Sequence, residues 1–140
     1  MPQSAKALNS SVIAVDTNIL VRFLTKDDKE QAELAYKMLR DHEVWVTKTV
    51  LLETEWVLRY SYEFSPHQIE AGLRALLGLS NLRVEEPAQV LGALPWYSGG
   101  MDFADALHLA GAQLRPLFTF DQKFRKKAAL LAPQAPVEHP

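Results

Sequence analysis

The sequence predicts an α/β fold built on a parallel sheet. Three observations carry that expectation. Short apolar runs alternate with longer stretches of helical periodicity, so each strand is joined to the next by a right-handed crossover with helices on both faces of the sheet. Two of those runs, Val12 to Val15 and Leu117 to Phe120, stop abruptly at an aspartate. Finally, 140 residues, 48% hydrophobic and 23% charged, fit one soluble domain and leave no room for a separate substrate-binding domain.

The elements follow in order. Val12 to Val15, β-branched at three of four positions, reads as a buried strand ending at Asp16. Thr17 and Asn18 turn or cap the chain before Ile19, Leu20, Phe23 and Leu24 recur at helical spacing. Asp28 to Arg40 sets Ala32, Leu34, Ala35, Met38 and Leu39 among charges, an amphipathic helix capped at Asp28. Val44 to Thr47 is a second strand, and Val50 to Tyr60 is helical again. Ser65-Pro66-His67-Gln68 has the form of a capping box with proline at the first helical position, opening a helix toward Leu79. Leu82 to Glu85 is a third strand, and Pro87 begins a helix toward Trp96 and Tyr97. After the break at Ser98-Gly99-Gly100, Phe103 to Leu114 is a helix that Pro116 ends before the strand Leu117 to Phe120. Residues 1–10 form a polar amino-terminal extension, and residues 131–140 a tail in which Pro136 to Glu138 adds an edge strand.

Composition excludes several chemistries. With no cysteine, disulfides, zinc-thiolate sites and thiol nucleophiles drop out, and any metal must be held by oxygen or imidazole. No apolar run has the length of a signal-peptide core or a membrane span, so a cytoplasmic protein without membrane attachment is expected. A net charge of −2 gives no global positive field for nucleic acid. Lys123, Arg125, Lys126 and Lys127 nevertheless crowd together, as a local phosphate contact or as a solvated helix face.

Four separated acids are the candidates for chemistry. Asp16 ends a strand, where ligand sites of parallel sheets form; its alternative is a turn or helix cap. Glu53 falls between Val50 and Val57 and interrupts an apolar stripe, so its carboxylate needs a partner unless it reaches water. Glu55 precedes Arg59 by four residues, the orientation of a surface pair, and is read as structural. Asp102 and Asp105 lie three apart at a helix start, where they serve as cap and first-turn acid, as ligands, or as both. Asp121 ends the run from Leu117. If the two aspartate-ended strands are neighbours, Asp16, Asp105 and Asp121 converge, and their repulsion demands a cation. Carboxylate oxygens suit Mg²⁺ or Mn²⁺ better than zinc or copper. Such an ion polarises a phosphodiester and generates hydroxide from bound water.

The ordered set Val15-Asp16-Thr17-Asn18, Leu51-Leu52-Glu53, Asp102-Phe103-Ala104-Asp105-Ala106-Leu107 and Thr119-Phe120-Asp121 resembles the PIN-domain nucleases, specifically the VapC-type toxins of toxin–antitoxin pairs. The resemblance runs from Ser11 to about Phe124. It implies a PIN-like sandwich with a central parallel sheet of four to five strands flanked by helices, as a single domain over residues 1–140. It also implies Mg²⁺- or Mn²⁺-dependent cleavage of RNA, neutralisation by a cognate antitoxin protein, and a homodimer. By position, Asp16, Glu53, Asp105 and Asp121 match the family's catalytic acids, with Asp16 and Asp105 as metal ligands. Asp102 is a supporting acid, and Thr17, Asn18 and Thr119 are polar residues that brace the acids. The short connection from Leu114 through Arg115-Pro116 to Leu117 departs from the family pattern.

Other residues have a plainer reading beside a functional one. His108 lies three positions after Asp105 and is a phosphate contact or ordinary helix surface; His42, His67 and His139 have no ligand spacing. Trp45, Trp56, Trp96 and Tyr97 stack bases or a partner, or belong to the core. Arg22 and Lys48 touch phosphates or are solvated charge. Two other functions compete with RNA cleavage. A haloacid dehalogenase-type phosphatase would place an acid two residues after its nucleophile, where this chain has Asn18. A non-catalytic PIN-like module would bind an antitoxin, RNA or another subunit without turnover.

Overall fold

A computed structural model describes residues 12–140, and the expected extension at 1–10 lies outside the described residues. The described chain runs β1 (Val12–Ala14), α1 (Thr17–Thr25), α2 (Lys29–Asp41), β2 (Glu43–Val46), α3 (Lys48–Tyr60), α4 (Pro66–Leu77), β3 (Leu82–Val84), α5 (Pro87–Ser98), α6 (Phe103–Ala112), β4 (Leu117–Phe118), α7 (Gln122–Leu131) and β5 (Val137–Glu138). It divides into two compact units, the first ending at Glu85 and the second running Glu86–Pro140. No helix among the described residues is long and apolar enough to cross a membrane.

The first unit holds a parallel sheet in the order β1-β2-β3. Its register pairs Val12 with Glu43 and Ala14 with Trp45, then Val44 with Leu82 and Val46 with Val84. The central strand carries the core: Val44 and Val46 are wholly buried, while Trp45 points outward. Helix α1 packs on α2 and α3, and α4 packs on α3 and β3. Leu20, Leu51, Leu58, Ile69 and Leu73 fill the space between. Helix starts are set by local chemistry. Asp28 accepts from the Gln31 amide, Thr47 from the Val50 amide, and the Ser65 capping box forms in both directions, with Pro66 at its first helical position.

The second unit is mainly helical. Helices α5 and α6 pack together, with Val90, Leu94, Phe103 and Leu109 buried and Tyr97 meeting Phe103 edge to face at 5.2 Å. Strand β4 pairs in parallel with β5, Leu117 opposite Val137 and Phe118 opposite Glu138, so the tail does supply the expected edge strand. Between α6 and β4 the chain reverses through two consecutive left-handed residues, Gln113 (φ 52°) and Leu114 (φ 67°), neither of them glycine. That turn is what makes the connection short.

Two expectations are corrected. The chain is α/β, but its sheet has three strands rather than four to five, and β4 and β5 form a separate two-stranded sheet. The reason is length: β4 and β5 are two residues each, and the ladder of β4 is formed with β5. Strand β1 is also less buried than its apolar run implies. It lies at the edge of the β1-β2-β3 order, with Val12, Ile13 and Val15 half-buried and Ala14 exposed.

Candidate functional site

In the first unit the carboxyl ends of the strands gather polar groups. Asp16 leaves β1 and caps α1, its Oδ1 accepting the Asn18 amide at 3.1 Å while the residue stays exposed. Asn18 thus braces Asp16 through its backbone. The next residue, Thr17, is buried, and its hydroxyl donates to Glu53 Oε1 at 2.5 Å, joining the first turn of α1 to α3 across 36 positions of sequence. Thr47 caps α3 at the end of β2, and at the end of β3 Glu85 Oε1 accepts the Lys48 amide at 2.9 Å. Composition alone gave Glu85 no site role, although its place at a strand end is the same signal that singled out Asp16.

Helix α3 reverses the expected phase of its two acids. Glu53 is exposed and aimed by Thr17, while Glu55 is 1% exposed and meets Arg59 at 2.7 Å and 3.2 Å. The buried stripe is Leu51, Thr54, Glu55 and Leu58, one step from the stripe inferred through Val50 and Val57. The structural role of Glu55 stands, but its pair is internal rather than a surface one. The hydrogen bonds that Arg59 donates to Glu55 hold the guanidinium pKa above its ordinary value.

In the second unit each acid begins a helix. Asp102 caps α6, its Oδ2 accepting the Asp105 amide at 3.3 Å, and Asp105 lies in the first turn. Asp121 caps α7 through the Phe124 amide at 3.1 Å, and its own amide donates to Thr119 Oγ1 at 3.0 Å. These acids feel one another. Partial burial raises the Asp105 pKa, and the like charges of Asp102 and Asp121 raise it further, with His108 opposing. A carboxylate destabilised in that way is relieved by protonation or by a cation.

Among the described residues no three histidine, aspartate or glutamate side chains stand already grouped as a metal-binding set. The donor chemistry nonetheless fits a hard divalent cation. All donors are carboxylates, the chain lacks thiols, and Asp105 carries excess negative potential. Other candidates resolve differently. Arg22 is engaged by Asp27, Tyr62 and Gln31, a network that sequence spacing does not announce. Lys48 lends its backbone amide to Glu85. Tyr97 is core, but Trp45 and Trp56 are surface residues, and Trp56 packs on Tyr60 at 5.2 Å.

The PIN domain family model matches residues 13–130, a span that runs through both units and includes Asp16, Glu53, Asp102, Asp105 and Asp121. No curated protein matches the chain.

Proposed function

The chain belongs to the PIN-domain family, and from that premise we propose that it is an endoribonuclease, dependent on Mg²⁺ or Mn²⁺, that serves as the VapC-type toxin of a toxin–antitoxin pair in the cytoplasm. PIN domains are commonly nucleases, many of them metal-dependent. What supports the reading is the family match over residues 13–130 together with the placement of Asp102, Asp105 and Asp121 at helix starts of one unit, where burial and the two neighbouring carboxylates push the Asp105 pKa up.

In this reading Asp16, Glu53, Asp105 and Asp121 are the catalytic acids, and Asp16 and Asp105 hold the ion. These residues would hold a divalent cation, which would supply Lewis-acid chemistry toward water and the phosphodiester. The protein's own residues do the positioning. Thr17 fixes one oxygen of Glu53 and so fixes the plane of its carboxylate. Thr119 holds the Asp121 backbone, and Asp102 holds the first turn of α6 on which Asp105 is mounted. RNA is the substrate, a cognate antitoxin and a second copy of the chain are the partners, and the whole chain acts as one domain.

Asp16→Asn and Asp105→Asn test this assignment. Each is expected to lower the rate of RNA cleavage by about a hundredfold or more, with an unchanged circular dichroism spectrum. Full activity in either variant removes that residue from the machinery. For the toxin role, a small DNA-binding protein encoded immediately upstream should suppress cleavage when it is added to the pure enzyme.

A further inference from the structure

Strand β4 and the turn after it present their side chains the opposite way from an ordinary core strand. Exposure alternates along Leu117, Phe118, Thr119 and Phe120, but the aromatic residues occupy the outer positions: Phe118 is 59% exposed and Phe120 is 78% exposed. Strand β4 ends at Phe118 and the chain bends at Phe120, so the two rings stand exposed on either side of Thr119 where the strand finishes. The backbone here is well held. The Thr119 amide donates to the Glu138 carbonyl at 2.9 Å, and Arg125 Nη1 donates to the Thr119 carbonyl at 2.9 Å. His139 meets the Phe120 ring edge-on at 5.6 Å, which limits the orientations that ring can take. Two largely exposed phenyl rings on a held backbone cost solvation, of which the His139 contact recovers only a part.

The charge that follows them in the chain, on a helix tied to Thr119 by Arg125, says what would cover them. Helix α7 begins directly after Asp121 and reads Gln-Lys-Phe-Arg-Lys-Lys-Ala-Ala-Leu-Leu, with four cations and no acid. Lys123 and Lys126 are exposed on it. Glu138, in register with Phe118, and Asp121 are the opposing charges. Rings interleaved with cations bind unpaired nucleotides, because every base has a face to stack and every phosphate a charge to neutralise. The aromatics of single-strand-binding sheets work this way.

We propose that Phe118 and Phe120 form a stacking platform for two unpaired bases of RNA, with Lys123 and Lys126 neutralising the adjoining phosphates. This rests on the ribonuclease reading for its substrate and deepens it: the strand bound would be single-stranded, and it would be held next to Asp121. Stacking is sequence-tolerant, so the platform would set position and strandedness rather than base identity.

The test is binding of a short fluorescent single-stranded RNA to the full chain in EDTA, read by anisotropy. Phe120→Ala is expected to weaken binding by about tenfold, Phe118→Ala by a similar or smaller factor, and Phe120→Trp is expected to retain affinity. Leu91→Ala, an exposed apolar residue on α5, controls for non-specific loss and should bind as the parent chain does. RNA with abasic sites should not distinguish Phe120→Ala from the parent chain. Undiminished binding by Phe120→Ala, or an equal loss on intact and abasic RNA, overturns the platform, as does failure of the parent chain to bind RNA at all. A change in self-association alone would make this face a protein contact and also overturns it. Cleavage with Mn²⁺ is scored separately. RNA that is bound through Phe120 but never cut sinks the ribonuclease reading and keeps the platform; RNA that is cut with Phe120 irrelevant to binding does the reverse.

Discussion

Replacing the Asp105 carboxylate with an amide removes a charge that the folded second unit opposes, and that has a definite sign. A carboxyl whose folded pKa is raised favours folding at low pH, and this contribution is lost as pH rises from the ordinary carboxylate range through the raised value. Asp105→Asn is therefore expected to melt at a higher temperature than the parent chain at pH 7, with the gain vanishing below about pH 4. Mg²⁺ or Mn²⁺ should raise the melting temperature of the parent chain and do so less for the variant. A destabilised Asp105→Asn at pH 7 would contradict the repulsion. Glu55 has the reverse circumstance, an acid satisfied inside the protein by a partly exposed partner. Arg59→Met leaves that acid buried and should cost roughly 2–4 kcal/mol in urea unfolding, whereas the double change Glu55→Leu, Arg59→Met should recover most of it. At this scale the sequence was legible for acids whose neighbours are local, such as the caps Asp16, Asp28 and Asp102. It was misleading for Glu53 and Glu55, because helix α3 has two overlapping apolar stripes and only the partners Thr17 and Arg59 decide which faces inward.

Helices were read more reliably than strands, for a physical reason. A helix is specified by its own periodicity and caps, so the Ser65 capping box and the proline starts at Pro66 and Pro87 appear where the sequence puts them. Ser65→Ala should lower stability by about 1 kcal/mol. A strand is specified by its neighbours, and the run Leu117 to Phe120 looks like a buried strand until its ladder proves to be two residues long, with both phenylalanines outward. The turn before it carries a further prediction. Leu114 is exposed and held at positive φ, so Leu114→Gly should stabilise the chain by about 0.5–1 kcal/mol in chemical denaturation. A loss of stability there would mean that the leucine side chain makes contacts its exposure does not reveal.

For the molecule as a whole, the family match runs from residue 13 to 130 and so spans Asp16, Glu53, Asp105 and Asp121, the acids proposed to act together. The positions of Asp16, Asp102, Asp105 and Asp121 at a strand end or helix start were legible because the elements that present them are regular, whereas Glu53 lies within α3. What sequence alone did not reveal is the number of strands, since two-residue strands leave almost no hydrophobic signature, and the placement of exposed aromatics beside a basic helix in a chain whose net charge is −2. Action of these carboxylates on RNA through a divalent cation is tested most directly by metal withdrawal and return. Pure protein stripped with EDTA should leave mixed single-stranded RNA intact, and added Mn²⁺ or Mg²⁺ should restore cleavage in the parent chain but not in Asp105→Asn. Cleavage that persists in EDTA, or returns equally in Asp105→Asn, would contradict it.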